Sequence, residues 1–316
     1  MIGTDIDTAV RLLQEGQVVA IPTETVYGLA GNALNQEAVS TIFSVKQRPS
    51  FDPLIIHVGR VADIPYYIQD IPPVLRKLAD AFMPGPLTLL LEKKLIIPDL
   101  VTAGSPRVAV RVPNHPVALD VLTKLNFPVA APSANPFGYI SPTTAQHVAQ
   151  QLGEQIPYIL DGGHCSVGVE STIVGIENDR PTVLRKGGLS VEAIEARIGP
   201  IAVREHSTSN PIAPGMLKSH YAPHVPVILG KPEDLLPTLP GKSVGVIRFR
   251  EKTAGIPDRQ QLILSARGDF REAAQRLFAG MRYLDQLALD VIIAELLPEE
   301  NLGRAINDRL RRAAAG

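Results

Sequence analysis

Apolar positions in the first two hundred residues follow two rhythms. Short runs, "QVVAIP" (17–22), "PLIIHV" (53–58), "PLTLLLE" (86–92), "RVAVRV" (107–112), "FPVAAP" (127–132), "YILDG" (158–162), "STIVGI" (171–176) and "TVLRKG" (182–187), are bounded by Pro or Gly and read as strands. Between them apolar residues recur at helical spacing, predicting helices over 72–82, 116–125, 143–152 and 190–198. Pro72 or Pro73 suits a helix's first turn. Asn35 can cap a further helix with Val39, Ile42 and Phe43 on one face, which Pro49 must end; Lys46 then lies near its carbonyl end.

The rhythm fails over 201–225, "IAVREHSTSNPIAPGMLKSHYAPHV", where Pro, Ser, His and Gly collect as in an interdomain connection. It resumes in "PVILG" (226–230), "SVGVIRF" (243–249), "QLILSA" (261–266) and "DVIIAEL" (290–296), alternating with helical stretches such as 269–285. The expected organisation is α/β throughout: a first domain over 1–200, a linker over 201–225, and a smaller α/β/α domain over 226–316 with a parallel or mixed sheet. At 316 residues the chain exceeds what one core usually supports, which agrees with two units. Internal repeats and low-complexity tracts are absent from the sequence.

Composition narrows the function classes. Hydrophobic residues make up 45% and charged residues 20%, with no apolar run long enough to cross a bilayer, so a soluble protein without membrane partners is expected. The start, "MIGTDIDTAVRLLQEG", is acidic and amphipathic where a secretory signal would be basic and then apolar, so a cytoplasmic location is expected. Cys165 is the only cysteine, which rules out an intrachain disulfide and a cysteine-based zinc site. A net charge of −1, no Trp and 5% aromatic residues argue against a protein that coats nucleic acid. Any anion site must come from local placement of cations.

Four segments supply such placement at strand ends, where open α/β sheets bind ligands: "PTETVYGLAG" (22–31), "KQRPSFDPLIIH" (46–57), "RVAVRV" (107–112) and "APSANPFGYIS" (131–141). Arg107, Ala109 and Arg111 share one strand face, with the two arginines roughly 13 Å apart at ~3.3 Å per residue, a spacing that could hold two anionic groups of one ligand. Each feature also has a plain structural explanation. Arg107 and Arg111 could be surface cations, Lys46 and Arg48 could answer the carbonyl end of a helix, and His57 could be a core histidine. Thr23, Glu24 and Thr25 could cap a turn, and "PSANPFG" could be a turn-rich loop.

As an ordered set the segments are more specific. "PTETVYGL", "KQRPSFDPLIIHV", "PGPLTLLL", "VAVRVPNHP", "PVAAPSANPFGYISPT", "GVESTIV" and "VLRKGG", in order across residues 22–188, resemble the YrdC/Sua5 family of threonylcarbamoyl-AMP synthases. The Lys-x-Arg and Ser-x-Asn signature stands here as Lys46, Arg48, Ser133 and Asn135. "MLKSHYAP" (216–223) and "LPEENLGRAINDRLRRAA" (297–314) resemble the longer Sua5 branch, whose linker folds back over the active site. The resemblance implies a YrdC-like twisted mixed sheet with flanking helices, followed by a Rossmann-like Sua5 domain.

It further implies an enzyme, a nucleotidyltransferase that makes threonylcarbamoyl-AMP and pyrophosphate from L-threonine, bicarbonate and ATP, with Mg²⁺ carried on the ATP phosphates. The product would pass to the threonylcarbamoyl transferase machinery that forms threonylcarbamoyladenosine in tRNA. By the same resemblance Thr23, His57, Arg111, Ser171 and the Ala131 backbone surround threonine. Lys46, Ser50, Arg107, Ser133, Ser141 and Arg185 surround ATP, Arg48 and Asn135 stand near the reacting carbamate and phosphates, and Tyr221 belongs to the lid and touches the nucleotide from the linker.

Rival readings are weaker. "LPTLPGKSVGV" (236–246) lacks the first glycine of a P-loop and precedes a strand instead of following one. His164 beside Cys165 has no third residue to orient a thiol nucleophile, and the seven histidines lack metal-site spacing. An RNA-binding module of the same fold, without adenylylation, is the alternative function, with direct RNA binding only a weak expectation at this charge. A carbamoyl-AMP-forming hydrogenase maturation factor shares the first domain but adds cysteine-rich fingers, which one cysteine excludes. The second domain could be a docking or regulatory platform; its Arg304, Arg309, Arg311 and Arg312 read as a solvated helix face.

Overall fold

The structure is a computed structural model of the chain and describes residues 1–204 and 220–316. Most of the expected linker, including Ser207, Thr208 and Ser209, therefore lies outside the described residues. In chain order the first sheet comprises β1 (Ile2–Gly3), β2 (Val19–Ile21), β3 (Gly28–Asn32), β4 (Ile55–His57), β5 (Leu87–Glu92) and β6 (Arg107–Arg111). It continues with β7 (Val129–Ala130), β8 (Tyr158–Leu160), β9 (Thr172–Glu177), β10 (Arg180–Arg185) and β11 (Ala202–Val203). Their spatial order is β1-β8-β2-β3-β7-β4-β6-β5-β9-β10-β11. Parallel pairs such as β4–β6 and β5–β9 alternate with antiparallel ones such as β5–β6 and β7–β4, so the sheet is mixed. The second sheet, β12 (Val227–Leu229), β13 (Val244–Arg248), β14 (Gln261–Ile263) and β15 (Val291–Ala294), is parallel in the order β12-β15-β13-β14.

The helix Gln36–Lys46 begins where Asn35 accepts from the Glu37 and Ala38 amides and ends at Gln47, whose φ of 52° turns the chain before Pro49. The helices Pro73–Phe82, Pro116–Lys124, Ala145–Leu152, Val191–Ile198 and Phe270–Asp285 fall within the ranges set by their apolar periods. Strand β3 had no apolar signal because its sequence, "GLAGN", is mostly small residues. Ala and Gly there allow close packing: a Cβ on Gly31 would lie 3.1 Å from Ile42.

The second domain's core does not close on itself. Val26, Ile140 and Val169 of the first domain, together with Tyr221, pack into the cluster built on Leu264, Leu277, Phe278 and Ile306. Polar contacts cross the same boundary. Arg282 Nη2 donates to the Ile140 carbonyl and to Gln151 Oε1 (2.9 Å), and Tyr139 donates to Asp285 (2.6 Å). The expectation of a solvated arginine face on the last helix, Gly303–Ala313, needs correcting. The side chains of Arg304 and Arg311 are partly exposed, but Arg309 is fully buried and points into the first domain. Periodicity could not show this, because a charged residue on the inward stripe is stable only when another element supplies its counter-charge.

Candidate active site

The site forms where strands of the first sheet end. β4 and β6 run parallel and finish together, so His57 stands opposite Arg111 in register. The chain leaving β2 brings Thr23–Gly28 alongside, and the chain leaving β7 brings Ala131–Asn135; Gly28 and Ser133 pair across this approach. Gly28 is needed there, since a Cβ would lie 3.2 Å from that of Ala131. Gly187 is needed more: its Cβ would fall 2.3 Å from the Glu170 carbonyl oxygen, so only glycine lets β10's exit pack against residues 170–171. Together these segments form a cavity whose lining includes Arg48, His57, Arg111, Ser133, Glu170 and Arg185.

Arg111 is held on all sides. Nε donates to the Gly85 carbonyl (3.2 Å), Nη1 to Thr25 Oγ1 (2.9 Å), and Nη2 faces Glu24 Oε1 at 2.7 Å. That last contact is an ion pair by distance, but neither group aligns a hydrogen bond on the other. Thr23, whose hydroxyl donates to the Val26 carbonyl (2.6 Å), tightens the turn that carries both Glu24 and Thr25. His57 is buried, and burial, reinforced by the neighbouring Arg111 charge, pushes its pKa down to about 3. It is therefore a neutral imidazole, with Nδ1 buried and unbonded.

Lys46 and Arg48 act on the backbone around the cavity. Lys46 Nζ donates to the carbonyls of Ser133 (2.6 Å) and Asn135 (2.5 Å), and the Phe137 amide donates back to the Lys46 carbonyl (2.8 Å). Burial, with Arg48 adding its repulsion, holds the Lys46 ammonium well below the usual lysine range. Arg48 donates to the carbonyls of Asp52 (3.1 Å) and Pro53 (2.8 Å) and pairs with the Asp52 carboxylate at 2.9 Å. Burial lowers Arg48 and raises Asp52, and each charge opposes the other's shift. Asn135 closes the loop by donating to the Pro136 and Tyr139 carbonyls, both at 2.8 Å.

On the far wall Arg185 donates to the Ser171 carbonyl (2.9 Å) and hydroxyl (3.1 Å), and burial lowers its pKa to about 10. Ser141 donates to Glu170 Oε1 (2.5 Å), and Arg309 Nε donates to Glu170 Oε2 (2.9 Å). Tyr221 covers this wall. It is 1% exposed, adopts φ of 65°, stacks on Phe278 with ring centres 5.5 Å apart, and lies 5.2 Å from the Arg309 guanidinium.

Of the residues expected in the site, Thr23, Arg48, His57, Arg111, Ala131, Ser133, Ser171, Arg185 and Tyr221 line this one cavity. Lys46, Asn135 and Ser141 are buried behind it, gripping its loops. Ser50 is exposed outside it, and Arg107 is turned toward the Ile176 carbonyl (3.2 Å) beyond the apolar patch of Ile55, Leu90 and Ala109. Glu24, Glu170, His220 and Arg309 were given no site role by sequence reasoning. All four lie inside quoted segments, but nothing local marks the role of Arg309, because its partner is 139 residues away.

A family model described as telomere recombination, covering Sua5, YciO and YrdC, matches residues 11–187. A second, described as the threonylcarbamoyl-AMP synthase C-terminal domain, matches residues 189–315. A threonylcarbamoyl-AMP synthase of Pyrococcus abyssi is 42% identical over 98% of this chain and 94% of its own length; one from Bacillus subtilis is 41% identical over 98% and 93%. The crystal structure of P. abyssi Sua5 complexed with L-threonine superposes with a TM-score of 0.90 at 39% identity, covering 98% of this chain and 94% of that one. With its strand order, its cation-lined cavity and both halves matched in sequence, the chain belongs to the YrdC/Sua5 family, in the long form that carries the Sua5 C-terminal domain.

Proposed function

We propose that the protein is a threonylcarbamoyl-AMP synthase that joins L-threonine, bicarbonate and ATP. The observation that carries the reading is the convergence of Arg48, Arg111 and Arg185 on one cavity covered by Tyr221. Each reactant is anionic or bears a carboxylate, so the reaction must gather like charges, and fixed guanidinium groups supply the opposing field without reorganising. The threonine amine first condenses with bicarbonate, releasing water and leaving a carbamate. A carbamate oxygen then attacks the α-phosphorus of ATP as the bond to the bridging oxygen of pyrophosphate breaks. No protein nucleophile enters that balance.

In this reading Arg111 meets the threonine carboxylate with its guanidinium fork, and neutral His57 and Ser171 frame the rest of the amino acid. Ser133, Asn135 and the Lys46 ammonium shape the loop that faces the phosphates, Arg48 and Arg185 offset their charge, and Ser50 and Arg107 take up outer parts of the nucleotide. Among the described residues no group of three or more His, Cys, Asp or Glu gathers to hold a metal. Mg²⁺ is accordingly read as a companion of ATP, where it would neutralise phosphate charge.

Tyr221, in the described end of the expected linker, is read as the seat of a lid that keeps water from the carbamate and the mixed anhydride. The adenylate would then be handed to the transferase that modifies tRNA, in the cytoplasm. Among the described residues no helix is long and apolar enough to cross a membrane.

The test is incubation with ATP, Mg²⁺, threonine and bicarbonate, each omitted in turn, with mass analysis of the adenylate. The expected adenylate has the mass of threonylcarbamoyl-AMP and requires all three substrates. Pyrophosphate release that ignores threonine would refute the proposal.

A further inference from the structure

The cavity wall contains a carboxylate that the proposed chemistry does not require. Glu170 is 7% exposed and lines the same space as Arg48, Arg111 and Arg185. An unneutralised carboxylate beside an incoming triphosphate would oppose binding, so a group that cancels it is part of the nucleotide site even without touching nucleotide. The first domain does not provide that group by direct contact: the ion pair drawn to Glu170 comes from Arg309, on the last helix of the second domain.

Arg309 is held firmly in this contact. It is fully buried, with Nε and Nη2 both 2.9 Å from Glu170 Oε2. The opposite edge is fixed by Nη1 donating to the Lys186 carbonyl (2.7 Å) and to Asp308 Oδ2 (3.0 Å). Lys186 is the residue after Arg185, so the same guanidinium ties the exit of β10, which carries Arg185, to the segment entering β9, which carries Glu170. With Oε2 engaged by Arg309, Oε1 is left to accept from the Ser141 hydroxyl.

We propose that Arg309 is a positioning residue for the nucleotide site: by neutralising and orienting Glu170 from the second domain, it makes the cavity of the first domain able to accept a triphosphate. The inference rests on the proposed function, because it takes ATP as the occupant. It assigns the second domain a chemical task in the site: supplying the side chain that pairs directly with Glu170, beside the longer-range charge of Arg185.

The test is titration of MgATP into the full-length protein by calorimetry, without threonine or bicarbonate, comparing wild type, Glu170→Gln, Arg309→Met and the double variant. Arg309→Met is expected to weaken ATP binding about tenfold or more, and, in turnover assays, to raise KM for ATP while leaving KM for threonine within about twofold. Glu170→Gln/Arg309→Met, which leaves no uncancelled carboxylate, is expected to bind ATP within about threefold of Glu170→Gln. A double variant that melts like Glu170→Gln but binds tenfold more weakly would overturn the proposal, as would Arg309→Met binding ATP like wild type. If Arg309→Met does not fold, the double variant against Glu170→Gln decides the matter alone. Wild-type protein that turns over ATP while Arg309→Met is unaffected defeats only this inference; wild-type protein that fails to bind MgATP defeats the proposed function with it.

Discussion

Arg111 Nη2 stands 2.7 Å from Glu24 Oε1, with both side chains 4% exposed, so the guanidinium assigned to the substrate carboxylate already faces a carboxylate of the protein. Removing one member of a buried pair typically costs ~3–5 kcal/mol, because the other charge is left stranded. Arg111→Ala is therefore expected to melt lower and to lose threonine-dependent pyrophosphate release. Arg111→Lys keeps the charge but loses the fork that also holds Gly85 and Thr25. Its KM for threonine is expected to rise about tenfold, the effect of ~1.4 kcal/mol, with KM for ATP changed less than about twofold. Equal increases in both constants would show that Arg111 does not single out threonine.

Lys46 gives a different signature, since its ammonium grips backbone and not a side chain. Lys46→Met removes the donor to the Ser133 and Asn135 carbonyls; the Ser133 oxygen keeps the Asn135 amide (3.0 Å), but the Asn135 oxygen loses its donor, at ~1–3 kcal/mol. Amide exchange is expected to quicken over 131–139 while the strands β4 and β6 keep their protection, and ATP affinity is expected to fall with the loop. Exchange unchanged in that loop would show that other contacts hold it.

These two cations also show what was legible in the sequence. Strand and helix positions in both domains followed from apolar period and Pro or Gly punctuation, because those signals are local. Strand alternation paired Arg107 with Arg111, but Arg107 turns to the Ile176 carbonyl; His57 and Arg111 were grouped only through the family resemblance, because their register depends on how β4 meets β6. Lys46 was placed at a helix end, but its contact with residues 133–135 depends on the loop leaving β7, 87 to 89 residues further along the chain. Strand β3 was missed because small residues carry no apolar period, and Arg309 because its meaning depends on a carboxylate in another domain.

His57 predicts a pH effect. Its pKa is about 3 when folded, against 6.5 for the ordinary side chain, so below about pH 6.5 the unfolded chain binds a proton that the folded one does not. The stability associated with neutral His57 is therefore complete above that range and is lost as pH falls toward 3. At ~1.4 kcal/mol per unit, about 2 kcal/mol is gone by pH 5. Denaturant unfolding of wild type and His57→Gln across pH 7.5 to 5 checks this, because the other titrating groups cancel in the comparison. The variant's profile is expected to be flatter by that amount; parallel profiles would mean that His57 is protonated in the folded state.

Tyr221 separates two explanations of the lid. Its ring lies between Phe278 and Arg309, contacts that typically contribute ~0.5–1.5 kcal/mol for stacking and ~0.5–2 kcal/mol for the cation. Losing both is expected to reduce the closed population about tenfold, so Tyr221→Ala should release pyrophosphate while yielding less intact adenylate per turnover. Alanine bears the same backbone cost at φ of 65° as the tyrosine it replaces, so that variant reports the ring alone. Tyr221→Gly removes the ring and the strain together. If the ring seats the lid, Gly and Ala variants leak alike; if the constrained backbone governs closure, alanine keeps the wild-type adenylate yield, glycine alone leaks, and the ring assignment fails.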